Sequence, residues 1–413
     1  MKYKIHIFFL LILCWANNLV SQTELTSDRF EKYPFINYTV NHLYFSKDSS
    51  AFLKLYKKIH ELSIPSKKSK TISIAHVGGS HVQGGTWSNS FLTNLQNEFK
   101  TSGGGFFVFP YKIAKTNSQP YSSSFTNGNW KKCRCVTKGF CLPLGMSGMS
   151  IKTNDSANYF GITLTQKAEC KGFNIVKVYH NFNENFYFDI SKKHNLKAEV
   201  IERKELGYTQ FNLEIPVDSI SFELIRKDTS EKDFIIYGFS LENNLSSGFY
   251  LAGLGANGAS SNSFLKCTYF IEQLKSIHPD LVIISLGVND TQAKDFEKQE
   301  YIEHYDSLIL AIKKAKPDVA ILLTTTSDNF IKRRTSNKRT LTAHDAMFEL
   351  MEKHNVAVWD MYEFMGGFKS MLKWTKIGLA AKDRVHFSPK GYNILGYYMF
   401  EALIKSYYSN TKK

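Results

Sequence analysis

Three side chains acting together can make an alcohol a nucleophile: a serine to attack, an imidazole to take its proton, and a carboxylate to orient that imidazole and stabilise its cation. The 413-residue chain offers such a set. Ser80 follows an apolar run and two glycines in "ISIAHVGGS", and Asp383 and His386 share one turn in "DRVH". The oxyanion formed by the attack needs preorganised donors. Candidates are the backbone N–H groups of Ser80 and of Gly258, in "GLGANGAS", and the side-chain amide of Asn289, in "LGVND". Taken singly, each has a plainer explanation: Ser80 as a helix cap, Asn289 as a turn residue, His386 as a hydrogen-bonded histidine near a helix start, Gly258 as room for packing. His76 and His81 flank the serine, but neighbours at a strand end point to different faces. Both are therefore assigned structural or substrate-facing roles, and neither is taken as the base.

Residues so distant in the chain can meet only if the elements carrying them end at one place. Four apolar runs without alternation, "TISIAHV" from Thr71, "DLVIISLG" from Asp280, "VAILLTTT" from Val319 and "VAVWD" from Val356, predict parallel strands buried on both faces. A further strand is expected at "GFYLAGLG", ahead of Gly258. Helical patterns separate the runs, and the last helix starts at Pro389, with Ser388 placed to cap it. Alternating strand and helix predicts an open α/β sheet with helices on both faces, where ligands collect beyond the carboxyl ends of the strands. Ser80, Gly258 and Asn289 each follow such an end.

The alternation lapses from about residue 105 to 242. In "SISFELIR", Ile220, Phe222 and Leu224 alternate with Ser219, Ser221 and Glu223, the pattern of a strand with one buried and one wet face. "NFYFDI", "QFNLEI" and "DFIIYGF" read alike, and together they predict a β-sandwich inserted into the α/β domain. "GGGFFVFPYKIAKTN" and Trp130 mark its beginning. Trp359, Trp374 and Gly366-Gly367 are expected to shape the last sheet edge and the loop that leads to Asp383.

Four blocks in this order resemble the SGNH (GDSL-like) hydrolase superfamily, whose members carry a serine in G-D-S, a glycine, an asparagine in G-x-N-D and a C-terminal D-x-x-H. Here they read "GGS" at Ser80, "NGA" at Gly258, "GVND" at Asn289 and "DRVH" at Asp383 and His386. The resemblance spans the α/β parts, about two thirds of the chain. It implies a flavodoxin-like three-layer domain with a parallel sheet, built from residues 22–104 and 243–413 around a 105–242 insertion. It also implies a serine esterase that needs neither cofactor nor metal, with Ser80 as nucleophile, His386 as base, Asp383 as orienter, and Ser80, Gly258 and Asn289 as the oxyanion hole. One departure stands out: Gly79 occupies the usual aspartate position, which keeps a non-catalytic glycan-binding protein as an alternative. An insertion between the serine and glycine blocks is similar to that of bacterial peptidoglycan O-acetylesterases. An acetylated glycan is the substrate so implied, with a glycan O-acetyltransferase as the other alternative.

Composition narrows the setting. Lys2 and Lys4 precede the apolar run "IHIFFLLILCWA", so residues 1–21 are expected to be an export signal and the mature protein periplasmic or extracellular. Cys14 lacks the small preceding residues that a lipid-anchored cysteine takes. No later apolar run is long enough for a membrane helix. The net charge is +15; without the two signal lysines, 50 basic face 37 acidic residues, a net +13. That excess suits a polyanionic cell-wall polymer, while the scatter of the lysines argues against nucleic acid. Cys133, Cys135, Cys141, Cys170 and Cys267 remain after export, an odd number. Their C-x-C-x5-C spacing favours a disulfide or buried thiols over a metal knuckle, for which no histidine pair is at hand.

Overall fold

The computed structural model describes residues 32–62, 64, 68–168, 172–228 and 232–411. The export signal expected at residues 1–21, and Cys170, lie outside the described residues. From Asn37 onward the chain forms one compact unit, and the account below concerns that unit.

Its centre is a parallel sheet in the spatial order Gly103–Val108, Gly248–Gly255, Thr71–Gly78, Leu281–Ser285, Ala320–Thr324, Ala357–Trp359. All the apolar runs expected to form strands are in it. Without Gly103–Val108 the order is 2-1-3-4-5, the flavodoxin-like arrangement, whose direction of winding reverses between Thr71–Gly78 and Leu281–Ser285. A cleft opens beyond the carboxyl ends of the strands at such a reversal. Ser80 and Asn289 follow those two strands. Helices Ser50–Leu62, Thr86–Phe99 and Pro389–Thr411 pack together on one face, and Phe270–Ile277, Lys298–Ala315 and Arg339–His354 on the other. A short antiparallel strand, Leu43–Phe45, closes the edge at Ala357–Trp359.

The inserted segment is a β-sandwich, and one of its layers continues the central sheet. Phe234–Asn243 pairs antiparallel with Gly103–Val108, and Phe173–His180, Tyr208–Val217 and Ala198–Arg203 extend the row. The second layer is a four-stranded sheet formed by Ser122–Thr126, Ala157–Leu164, Ser219–Arg226 and Phe186–Ile190. Between the layers Phe160 and Phe222 stack at 5.4 Å, and Phe188, Phe211 and Phe234 close around them. Burying each such ring contributes roughly 2–3 kcal/mol. Ile220, Phe222 and Leu224 face this core as their alternation predicted. Ser221, expected on the wet face, is instead buried, because His194 folds over it and bonds its hydroxyl at 2.9 Å. Trp130 packs edge-on against Phe160 and donates to Thr126 Oγ1 at 3.0 Å.

Cys133 and Cys141 form a disulfide, and Cys135 and Cys267 are buried free thiols. No group of His, Cys, Asp or Glu among the described residues is arranged to hold a metal ion. No described helix is long and apolar enough to cross a membrane.

Three buried histidines set the response to acid. His76 lies between the hydroxyls of Ser88 and Ser285, each at 2.8 Å, and His180 bonds Thr209 Oγ1 at 2.9 Å. Burial pushes His76, His81 and His180 down from 6.5 to about 3. Between those values the unfolded chain binds protons that the folded chain refuses, so stability is complete above about pH 6.5 and falls as pH drops toward 3. Asp328, raised by burial to about 6, works in the opposite sense over part of that window. Urea titrations are expected to show a net uptake of about two protons on unfolding between pH 6 and 4; stability that stays flat or rises across that range would refute the assignment.

Candidate active site

The two glycines before Ser80 are explained by close approach. Neither backbone is left-handed. A Cβ on Gly78 would lie 2.3 Å from Val82 Cγ2 and 2.9 Å from the Ser285 carbonyl. The chain can turn there from strand into the short helix Ser80–Gln83 only without a side chain. A Cβ on Gly79 would stand 3.3 Å from both the Ala259 carbonyl and Asn289 Nδ2. The position where an aspartate was expected thus abuts the loops that carry Gly258 and Asn289, and glycine lets their polar atoms sit directly against the turn.

Asp383 and His386 lie in a loop pinned at its base by a bridge between Ala380 and Phe387, and Ala381 N–H donates to the His386 carbonyl at 2.8 Å. Within it, Asp383 Oδ1 accepts from the backbone N–H groups of Val385 and His386 at 2.9 and 3.0 Å. Its other oxygen, Oδ2, is 2.8 Å from His386 Nδ1. Burial alone would raise this carboxyl, but the bonds from His386 and Val385 outweigh it and hold Asp383 below the usual carboxylate range. It is therefore ionised at neutral pH and accepts a hydrogen bond from Nδ1–H, which leaves Nε2 as the acceptor. Ser80 Oγ is 2.8 Å from that nitrogen. Ser80 from the first block and Asp383 and His386 from the last form one continuous hydrogen-bonded chain.

Asn289 and Gly258 meet beside it. Asn289 Nδ2 donates to the Ala259 carbonyl at 2.8 Å, and an amide has a second N–H still to give. Gly258 has φ +85, and among the described residues the one atom its Cβ would meet within 4 Å is Val136 Cγ1, at 3.8 Å, on the Cys133–Cys141 disulfide loop. Replacing Asn289 by Ala is expected to lower kcat on a small acetyl ester by about 10²–10³-fold, the loss typical of one oxyanion donor. Unchanged turnover in steady-state assays would remove Asn289 from that role.

Several residues that hold these groups had escaped sequence reading. Gln83 is buried; its Oε1 accepts from Asn257 N–H at 2.7 Å while its Nε2 donates to the Asn117 carbonyl at 3.1 Å. It thus clamps the Gly258 loop between the turn after Ser80 and the first loop of the insertion. That same loop supports the strand ahead of Gly258, because Tyr111 and Gln119 donate to the carbonyls of Gly255 and Gly253. Asp290 takes both the backbone N–H and the hydroxyl of Ser261, tying the asparagine block to the glycine block; burial still raises its carboxyl above the ordinary value. Phe330 N–H donates to the Arg384 carbonyl at 3.1 Å and steadies the Asp-His loop from the side.

His81 is structural. Its ring lies 5.3 Å from that of His386 and bonds Tyr392 Oη at 2.7 Å. Burial, with the neighbouring His386, lowers it to about 3, so a neutral ring packs against His386. His76 is held by two serine hydroxyls below the sheet ends. Trp374 packs edge-on against Phe387 at 5.2 Å and donates to the Met365 carbonyl, which places it under the loop as expected. Trp359 belongs to the last parallel strand and donates to Asn41.

Comparisons with known proteins bear on the family and the fold. Residues 234–394 match the sequence model of the GDSL-like Lipase/Acylhydrolase family. That stretch includes Gly258, Asn289, Asp383 and His386; Ser80 lies outside it and joins them only through the fold. No curated protein matches the sequence. Among solved structures, one described as "Peptidoglycan O-acetylesterase in action, 5 min" is 19% identical and overlays with TM-score 0.72, covering 89% of this chain and 99% of its own. An acetyl xylan esterase is 19% identical with TM-score 0.31, covering 38% of this chain and 81% of its own. A GDSL-like lipase from Bacteroides thetaiotaomicron is 20% identical with TM-score 0.30, covering 38% of this chain and 76% of its own. The chain therefore shares the fold of the first of these structures and, over residues 234–394, resembles the GDSL-like lipases and acylhydrolases, with a β-sandwich built onto the central sheet.

Proposed function

We propose that the protein is an exported serine esterase that removes O-acetyl groups from peptidoglycan or another cell-surface glycan. The observation that carries the reading is the unbroken chain from Ser80 Oγ through the His386 ring to Asp383. Ser80 attacks the acetyl carbonyl as its proton passes to His386 Nε2, and the Asp383 carboxylate stabilises the resulting imidazolium. Ser80 N–H, Gly258 N–H and the second Asn289 amide hydrogen receive the oxyanion. His386 then protonates the departing sugar hydroxyl, and water, activated by the same nitrogen, releases acetate from Ser80. No step calls for a cofactor.

The acetylated-glycan assignment draws support from the likeness along nearly the whole chain to a peptidoglycan O-acetylesterase structure. The sandwich is proposed to hold the polymer. A cavity of ≈ 590 Å³ opens in it, lined by Phe182, Tyr187, Phe188, Asp189 and Lys204 among others, which offers both rings and polar groups to a sugar.

The test is an ester panel: p-nitrophenyl acetate, O-acetylated peptidoglycan and acetylated xylan, each with wild type and Ser80→Ala. Free acetate from wild type alone is the expected result. Acetate appearing only on an added sugar acceptor would make the protein a transferase, and glycan capture without turnover would make it a binding protein.

A further inference from the structure

Unpaired cations crowd the loop that carries Asp383 and His386. A two-stranded hairpin, Phe330–Ile331 with Thr335–Ser336, presents Lys332, Arg333 and Arg334 at its exposed tip. It is fastened to the Asp-His loop on two sides. Phe330 N–H bonds the Arg384 carbonyl, and the Arg384 guanidinium donates to the Arg333 carbonyl at 2.9 Å while lying 5.2 Å from the Phe330 ring centroid. Lys382 is exposed on the loop itself. Among the described residues no carboxylate forms an ion pair with any of these cations, whereas Lys58, Lys152, Lys177, Lys298 and Lys353 are each taken by an acid.

The backbone underlines the point. Lys332, Arg333 and Arg384 have φ of +48, +65 and +58, a region where glycine or asparagine would sit at lower cost. Long basic side chains occupy those positions instead. Exposed charges on an open hairpin do not converge on one small ion; they suit an extended polyanion, along which several weak contacts add up.

We propose that this hairpin docks an anionic glycan, so that the ester delivered to Ser80 is borne on a polysaccharide with repeated carboxylate or phosphate groups. This rests on the esterase reading given above.

The test compares wild type with the triple variant Lys332→Gln, Arg333→Gln, Arg334→Gln on three substrates: O-acetylated polygalacturonate, O-acetylated neutral xylan and p-nitrophenyl acetate. On the polyuronate the variant is expected to lose at least about 10-fold in kcat/KM through a raised KM, with turnover of the other two substrates unchanged. Because exposed charges are screened within about 8 Å at physiological ionic strength, raising salt should bring wild type toward the variant. Unacetylated polygalacturonate and polyphosphate, added as competitors, separate the carboxylate from the phosphate source: one or both should inhibit wild type and spare the variant. Equal KM for the two proteins on polyuronate, or an equal loss on neutral xylan, overturns the proposal. If p-nitrophenyl acetate is not turned over by wild type, the esterase reading itself has failed; Ser80-dependent turnover without charge selectivity condemns the hairpin alone.

Discussion

Ser80→Ala and His386→Ala should each lower kcat on an acetyl ester by on the order of 10⁴–10⁶-fold, and the double variant should be hardly worse than either. The reason is geometric. Ser80 Oγ and His386 Nε2 are 2.8 Å apart, and each is useless to the attack without the other: a hydroxyl keeps its proton, and a base with no nucleophile beside it has nothing to activate. Losses that belong to one unit do not add. Both side chains are only partly buried, so the fold should tolerate their truncation, and near-wild-type urea midpoints would show that the loss is chemical. Independent, multiplying losses, or survival of turnover in both single variants, would mean that another nucleophile does the work.

Asp383→Asn should leave the site in place and still cost about 10³–10⁴-fold in kcat, with little change in KM. Asp383 Oδ1 is held by two backbone N–H groups, so in the amide variant the oxygen is expected to keep that position. The amide nitrogen is then turned toward His386 Nδ1. A donor opposite Nδ1 forces the imidazole into the tautomer with its proton on Nε2, aimed at Ser80, and the base is lost without any movement of the ring. Steady-state kinetics on the small ester check the size of the effect. A loss below about 10-fold would show that the carboxylate does not set the tautomer.

The residues proposed to do chemistry were legible in the sequence because chemistry restricts residue types strongly and strand ends restrict their places. Ser80, Gly258, Asn289, Asp383 and His386 could be picked out from four short blocks; the structure links Ser80, His386 and Asp383 in one hydrogen-bonded chain and bonds Asn289 to Ala259, next to Gly258. The supports were not legible. A buried glutamine such as Gln83 is satisfied by backbone groups of Asn257 and Asn117, which no residue-type pattern records. Gly103–Val108 was hidden for another reason: three glycines open it, so only Phe106, Phe107 and Val108 are of the kind by which a buried strand is recognised. Ser221 misled because alternation predicts which way a side chain points and says nothing about a histidine folding back over it.

The shared row of strands makes the insertion part of the chassis. Excising residues 109–233 would strip Gly103–Val108 of its loops and leave Phe234–Asn243 with the backbone groups that now face Phe173–His180 bared to solvent, a template for aggregation. It would also remove Tyr111 and Gln119 from beneath the strand that ends near Gly258. Evolution could thus trade the surface of the sandwich freely, swapping loops to suit new polymers, while its inner layer stayed bound to the machinery it braces.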